Sequence, residues 1–292
     1  MIPEYFADFS WTTRYCLIVM VSLIVIEVLA NWLCLYFYSS VHLPTQDRPP
    51  SEELTPIAIT VEDVKDKETN NHQCKDSKEK ADEKPQSTGT GRQLEDIYSN
   101  KTGLIWGYCD TCDLPKPPRS HHCKVCDKCI LKRDHHCYFA NTCIGFYNQR
   151  YFVIFAFYFG LGCIVGLGLE GCYMAWKLSG SSYWDYFLPI TVYKSFTGEF
   201  PVYYTFVVGH LYSFLPFLTM CIGFFVTQIS AIHLGKTPYE ISNRVRIRSL
   251  RDSAHNFRSV FGPFWGINFI FPAVVIFRQE GNGKLWDDVK KY

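Results

Sequence analysis

The sequence predicts an α-helical integral membrane protein that carries a cysteine-rich metal-binding domain. Its apolar residues are concentrated in three long runs, and a helix needs about 20 mostly apolar residues to cross a membrane. Seven of the thirteen cysteines fall between Cys109 and Cys143, in Cys-x2-Cys pairs mixed with histidines. This spacing is typical of metal ligands. The formal net charge is only +1, which argues against nucleic acid as a partner.

The first apolar run, residues 15–38, is predicted to be a transmembrane helix within the N-terminal segment 1–43. It is too long for the apolar part of a cleaved signal peptide and lacks a small-residue end. Glu27 lies near its middle. We expect this acid to be protonated or paired and to face the other helices, because a charge exposed to lipid is costly.

Residues 44–100 are predicted to be a disordered cytosolic linker. They combine adjacent prolines and dense mixed charge with few aromatic residues, and such a segment cannot bury enough apolar area to fold. Cys74 stands alone in it and is expected to be an unused surface thiol. The linker leads into the cysteine-rich domain, residues 101–150, which should consist of loops and short hairpins held by metal.

Two more transmembrane helices are predicted at residues 151–176 and 206–232. The first of them contains Gly162-x3-Gly166, a spacing of small residues that lets helices approach closely. The intervening residues 177–205 form a predicted loop that is rich in aromatic residues, as is typical of a membrane interface.

The tail, residues 233–292, is predicted to be cytosolic because it begins with a series of basic residues. These residues are Lys236, Arg244, Arg246, Arg248, Arg251 and Arg258. The loop at 177–205 is then lumenal, and the cysteine-rich domain is cytosolic, in a reducing compartment that suits thiolate ligands. The apolar run at 264–277 is too short to span and should be interfacial or buried.

A structural zinc ion takes four ligands, so six cysteines and two histidines would complete two sites. One cysteine of the seven would then remain for chemistry, and spacing alone does not identify it. Cys137 directly follows Asp134, His135 and His136. A histidine can take the proton of a thiol and an acid can orient that histidine, so Cys137 has the neighbours that a nucleophile needs.

The stretch from Cys109 to Phe152 resembles the cysteine-rich domain of the DHHC protein S-acyltransferases, or palmitoyltransferases. The family pattern is Cys-x2-Cys-x3-[Lys/Arg]-Pro-x-Arg-x2-His-Cys-x2-Cys-x2-Cys-x4-Asp-His-His-Cys-x5-Cys-x4-Asn-x3-Phe, and every fixed position is filled here. The resemblance implies two structural Zn²⁺ ions. One would be held by Cys109, Cys112, His122 and Cys129, and the other by Cys123, Cys126, His136 and Cys143. A purely structural zinc domain, in which Asp134, His135 and Cys137 have no chemical role, is the alternative.

The resemblance also implies an activity. Cys137 would attack the thioester of an acyl-CoA, with palmitoyl-CoA as co-substrate, His135 as base and Asp134 as the group that orients it. The acyl chain would then pass to cysteines of substrate proteins at the cytosolic face of an endomembrane, that of the Golgi or the ER. Between residues 101 and 133, seven Lys or Arg stand against three Asp. This excess suits the phosphates of CoA and anionic lipid equally.

Three departures from the family pattern motivate a second alternative, a catalytically weak or inactive zinc-stabilised membrane scaffold of the same family. Tyr138-Phe139 replace the usual Pro-Trp, and Pro238 replaces the second threonine of a Thr-Thr-x-Glu motif at 237–240. The family norm is four transmembrane helices, whereas three are predicted here. A C-terminal element, Asn256-x3-Val260-Phe261-Gly262, matches the family and implies that Asn256 packs the tail against the site.

Overall fold

The computed structural model describes residues 9–38, 40–41, 101–177, 182–267, 279 and 281–292. The predicted linker at 44–100, with Cys74, lies outside these residues, as does most of the apolar run at 264–277. The described helices are α1 (Trp11–Phe37), α2 (Gln149–Lys177), α3 (Leu188–Phe196), α4 (Val202–His233), α5 (Pro238–Ser242) and α6 (Ser253–Phe261). The described strands are β1 (Gly107–Cys109), β2 (Leu114–Lys116), β3 (His121–Cys123), β4 (Lys128–Ile130), β5 (His135–Cys137), β6 (Thr142–Ile144), β7 (Ile247–Ser249) and β8 (Val289–Lys291).

Helices α1, α2 and α4 contain 27, 29 and 32 residues and are apolar enough to cross a membrane. The prediction of an α-helical membrane protein is therefore confirmed, with three candidate spanning helices among the described residues. Helix α1 begins after Ser10, whose hydroxyl accepts a hydrogen bond from the N–H of Thr13, as an N-cap residue should.

Helix α2 packs against both α1 and α4. Glycines allow the close approach, since a Cβ on Gly162 would lie 3.3 Å from Ile24 and one on Gly166 would lie 2.8 Å from the ring of Phe214. Glu27 is buried and accepts a hydrogen bond from Asn31 at 3.1 Å. This acid is thus paired within its own helix.

Residues 182–201, the described part of the segment between α2 and α4, are more ordered than the predicted loop at 177–205. They contain a 3-10 turn at Tyr183–Tyr186 and the nine-residue helix α3. Ser182 and Asp185 form a reciprocal capping box at the start of the turn, and a proline occupies the first turn of α3. These two start signals outweigh the aromatic composition on which the loop prediction rests.

Three antiparallel hairpins, β1–β2, β3–β4 and β5–β6, make up the cysteine-rich domain. A fourth two-stranded antiparallel sheet, β7–β8, joins two distant parts of the tail. The tail packs onto the cysteine-rich domain through an apolar cluster of Leu104, Leu131, Phe146, Ile247, Trp286 and Val289. The domain is therefore held between the ends of the long helices and the tail.

Candidate metal clusters and thiol site

The first metal-ligand cluster joins the first two hairpins. Its members are Cys109, Cys112, His122 and Cys129, whose ligand atoms all lie within 4.8 Å of one another. The Nδ1 atom of His122 is 3.7 Å from the Sγ of Cys109 and 3.2 Å from the Sγ of Cys112. His122 and Cys129 are directly opposite each other in the β3–β4 register, so the hairpin itself brings these two ligands together.

The second cluster repeats this arrangement one hairpin further along the chain. Its members are Cys123, Cys126, His136 and Cys143. The Nδ1 atom of His136 lies 3.8, 3.3 and 3.6 Å from the sulfurs of Cys123, Cys126 and Cys143. His136 and Cys143 are opposite each other in the β5–β6 register. Each cluster therefore joins two consecutive hairpins.

Both clusters fit zinc. A tetrahedral site with Zn–S of about 2.3 Å and Zn–N of about 2.0 Å places its sulfurs about 3.8 Å apart and its sulfur and nitrogen atoms about 3.5 Å apart. The sulfurs of Cys112 and Cys129 are 3.8 Å apart, and those of Cys126 and Cys143 are 3.6 Å apart. Asp127 lies 3.5 Å from the Nε2 atom of His122, as an outer partner that orients a metal-bound histidine would.

The three hairpins form a repeat that the sequence carries at a period of 14 residues. Cys109, Cys123 and Cys137 occupy equivalent positions at the ends of β1, β3 and β5. The turns that follow hold Asp113, Asp127 and Asn141 at φ values of 53°, 51° and 48°, a conformation that Asp and Asn tolerate better than most residues. The second ligand of each Cys-x2-Cys pair is Cys112 or Cys126, whereas the third hairpin has Ala140 there. Cys137 is therefore equivalent to the first cysteine of each pair, but Ala140 replaces the second cysteine.

The thiol of Cys137 lies outside both clusters and beside His135. The Nδ1 atom of His135 is 3.3 Å from Oδ1 of Asp134, which is almost fully buried. The His135 ring packs edge-on against Phe152 of α2 and parallel to Phe224 of α4. Cys137 is itself buried, in an apolar cluster with Leu35 at the end of α1 and residues at the start of α2. The predicted nucleophile, base and orienting acid are thus adjacent, at the ends of the membrane helices.

The site shifts the pKa values of the thiol and the imidazole in opposite directions. Burial lowers the pKa of His135, but its interactions with the Asp134 carboxylate and the Cys137 thiol outweigh this effect and raise the pKa to about 9. Burial also raises the pKa of Cys137, but its interaction with His135 and the backbone N–H of Ala140 outweigh it, so the thiol pKa is lowered. Only the thiolate is a strong nucleophile, so this arrangement activates Cys137.

Asn148 fixes the position of the third hairpin relative to α1. Its side chain is fully buried and donates to the carbonyl of Cys143 at 2.9 Å. Its Oδ1 accepts from the N–H of Gly145 at 2.8 Å and from the hydroxyl of Ser40 at 3.2 Å. The backbone of Ser40 in turn accepts a hydrogen bond from Leu131 at 2.9 Å. The family motif residue Asn148 therefore acts as a structural connector rather than as a chemical group.

The tail motif joins the cysteine-rich domain through an ion pair. Arg119 binds both carboxylate oxygens of Glu240 at 2.7 Å. Thr237 and Glu240 form a capping box at the start of α5. Pro238 occupies the first turn of that helix, where a missing N–H costs no hydrogen bond. This departure from the family motif therefore leaves the cap and the ion pair intact.

Asn256 joins helix α6 to the end of α4. It donates to the carbonyl of His233 at 3.1 Å and accepts from the hydroxyl of Ser249 at 2.9 Å. Several polar residues behind the site were not singled out by sequence reasoning, namely Lys132, Gln149 and Gln228, which are all buried. Their hydrogen bonds connect residues up to 94 positions apart, so no local pattern identifies them.

The fold and the site together define a helical membrane protein with a two-cluster metal-binding domain and an activated thiol. Residues 105–245 match the family model for DHHC palmitoyltransferase. The chain therefore carries a DHHC palmitoyltransferase domain, as its sequence predicts.

Curated relatives agree with this family. The chain is 32% identical over 133 residues to Palmitoyltransferase ZDHHC22 of Rattus norvegicus, covering 44% of this chain and 50% of the relative. It is 31% identical over the same length, with the same coverage, to the protein of that name from Homo sapiens. The chain thus spans about half the length of these relatives.

Proposed function

We propose that this protein is a protein S-palmitoyltransferase of an endomembrane, that of the Golgi or the ER, with its cysteine-rich domain in the cytosol. One observation carries the proposal. The thiol of Cys137 lies outside both metal clusters, beside the His135–Asp134 pair and against the ends of two membrane helices. The domain match and the names of the relatives support the same class of reaction.

The first half-reaction loads the acyl chain. The Cys137 thiolate attacks the carbonyl carbon of the acyl-CoA thioester, and the bond from that carbon to the CoA sulfur breaks. The imidazolium of His135 gives its proton to the leaving CoA thiolate, and Asp134 keeps the imidazole oriented. Neutral His135 and a thioester on Cys137 result.

The second half-reaction transfers the chain to a substrate protein. His135 takes the proton of a substrate cysteine, whose thiolate attacks the thioester carbonyl on Cys137. The bond to the Cys137 sulfur then breaks, which restores the thiolate and the imidazolium. Two Zn²⁺ ions, with four protein ligands each, would keep no open position for substrate, so their contribution is to hold the three hairpins together.

The test is incubation of the purified protein with labelled palmitoyl-CoA, followed by hydroxylamine, which cleaves thioesters. Wild type should take up label that hydroxylamine removes, and Cys137→Ser should take up none while keeping its metal. Cys163→Ala is the matched control, because Cys163 is a buried cysteine of α2 outside the site. Label that persists in Cys137→Ser would disprove this assignment. Wild-type protein that holds its metal and takes no label would place the chain among inactive scaffolds.

A further inference from the structure

Four buried polar side chains form one continuous chain of hydrogen bonds behind the thiol site. The Nζ atom of Lys132 donates to Oε1 of Gln149 at 3.1 Å. The Nε2 atom of Gln149 donates to Oε1 of Gln228 at 3.0 Å, and the Nε2 atom of Gln228 donates to Oδ2 of Asp134. All four side chains are at most 6% exposed. We refer to Lys132, Gln149, Gln228 and Asp134 as the amide relay.

The carboxylate at one end fixes the direction of the relay. An ionised carboxylate only accepts, so the Gln228 amide nitrogen must face Asp134. The Gln228 oxygen then accepts from Gln149, and the Gln149 oxygen accepts from Lys132, whose amine can donate with or without its extra proton. Turning either amide around would place two donors or two acceptors face to face. Hydrogen bonds in such a chain polarise one another, and the relay therefore has a single favourable arrangement.

The relay ends on the group that orients His135. One carboxylate oxygen of Asp134 lies 3.3 Å from Nδ1 of His135, and the other accepts from Gln228. Rotation of the carboxylate would break the bond to Gln228 as well as the contact with His135. Gln228 thus fixes the rotation of the Asp134 side chain, and through it the ring that faces Cys137.

The relay also connects separate parts of the fold. Gln149 is the first residue of α2, and Gln228 lies in the last two turns of α4. Lys132 and Asp134 come from the connection between the second and third hairpins. Burying four polar side chains beside apolar helices costs desolvation free energy that apolar side chains of the same size would not cost. Their arrangement toward Asp134 indicates a role at the site.

We propose that Gln149 and Gln228 are positioning residues that hold the Asp134–His135 pair in its reactive orientation. This inference rests on the proposed acyl transfer. It assigns a function to two residues of α2 and α4 that belong to neither metal cluster.

The first measurement is the rate of acyl loading against palmitoyl-CoA concentration in Gln228→Met. This substitution keeps the length of the side chain and removes its hydrogen bonds. The maximal loading rate should fall about tenfold to a hundredfold, as expected for a displaced catalytic group. The half-saturating concentration and the metal content should stay unchanged. Thr227→Val is the matched control, because Thr227 is the adjacent polar residue on the exposed face of α4, and it should load at the wild-type rate.

A second measurement separates positioning from a general structural effect. If Gln228 acts through Asp134, then Gln228→Met should have less than a twofold effect in an Asp134→Asn background, because the group it positions is already lost. Gln149→Met should also lower the maximal loading rate, by a smaller factor, and should have little effect in the Asp134→Asn background. If Gln228→Met loses its metal, Gln149→Met is the variant that tests the proposal. Losses that multiply in the double variants, or a Gln228→Met protein that loads like Thr227→Val, would overturn the proposal. Wild-type protein that takes up no acyl group would instead disprove the proposed acyl transfer itself.

Discussion

Arg119 and Glu240 are 121 residues apart in the chain and form a buried bidentate ion pair, with both side chains 3% exposed. The Arg119 guanidinium also lies 4.4 Å above the ring of Trp286. Arg119 belongs to the cysteine-rich domain and Glu240 to the tail, so the pair joins the two parts. Because both charges are removed from water, each depends on the other.

Removing one partner should therefore destabilise the protein strongly. Arg119→Met leaves an uncompensated buried carboxylate, and we expect a loss of about 3–5 kcal/mol of stability. Thermal unfolding in detergent would show it as a lower midpoint. The double variant Arg119→Met/Glu240→Gln should recover part of the loss, since neither charge of the pair then remains. A double variant less stable than Arg119→Met would contradict this account.

The same pair should make stability depend on pH. Burial raises the pKa of Glu240, but the charge of Arg119 and the hydrogen bonds of Arg119 and Thr237 outweigh it, so the pKa is lowered. Because the pKa of Glu240 is lower in the folded state, its ionised carboxylate stabilises the protein fully when the pH is above the ordinary glutamate pKa of about 4.3. This contribution is lost as the pH falls through the lower pKa of the folded state. Wild type should therefore lose its stability advantage over Glu240→Gln as the pH is lowered from 6 to about 3. A constant difference between the two proteins across that range would show that Glu240 does not titrate this way.

Metal content should follow the two clusters. Wild type should contain two zinc ions per chain by elemental analysis, one for each cluster. Cys112→Ala and Cys126→Ala should each release metal and unfold the hairpins that the lost ion joins, because metal binding contributes folding free energy. Cys172→Ala, which changes an exposed cysteine of α2, is the control and should keep both ions. One ion or none in wild type would reject the assignment of the ligands.

Gly145 should tolerate no side chain. A Cβ there would lie 2.6 Å from the carbonyl oxygen of Leu131 and 2.9 Å from Cβ of Ser40. Gly145→Ala should therefore separate the third hairpin from the end of α1, with a loss of about 1–3 kcal/mol. Gly171→Ala is the matched control, because a Cβ at Gly171 has no neighbour within 4 Å among the described residues. Equal unfolding midpoints for the two variants would contradict the packing argument.

Topology can be tested with single glycosylation acceptors. Tyr193→Asn completes an Asn-Lys-Ser acceptor in exposed α3, and Arg251→Asn completes an Asn-Asp-Ser acceptor in the tail. With the tail cytosolic, only Tyr193→Asn should gain a glycan in cells, detected as a mass shift removed by glycosidase. The natural Asn100-Lys101-Thr102 acceptor should stay unmodified. A glycan on Arg251→Asn would reverse the proposed orientation.

The sequence predicts local features of this protein well and distant contacts poorly. The three spans are evident because hydropathy is read over a continuous stretch, and the ligand spacing follows from the geometry of a short hairpin. Helix α3 is not predicted, because the aromatic residues of 177–205 favour an interfacial loop. The amide relay could not be predicted, since Gln149 and Gln228 meet only after α2 and α4 have packed together.

The place of Ala140 in the 14-residue repeat explains how a metal-binding scaffold can acquire a reactive thiol. The backbone N–H of residue 140 contributes to lowering the pKa of Cys137, as a turn that accommodates a thiolate ligand would. With alanine in place of a second ligand, the Cys137 thiolate is not bound to a metal ion and can react with a carbon electrophile. Helix α2, and not a further hairpin, follows the third hairpin, so the histidine and cysteine that complete the other two clusters are also absent there. Ala140→Cys would restore a Cys-x2-Cys pair, and Cys137 would then bind thiophilic ions such as cadmium instead of reacting with an acyl donor.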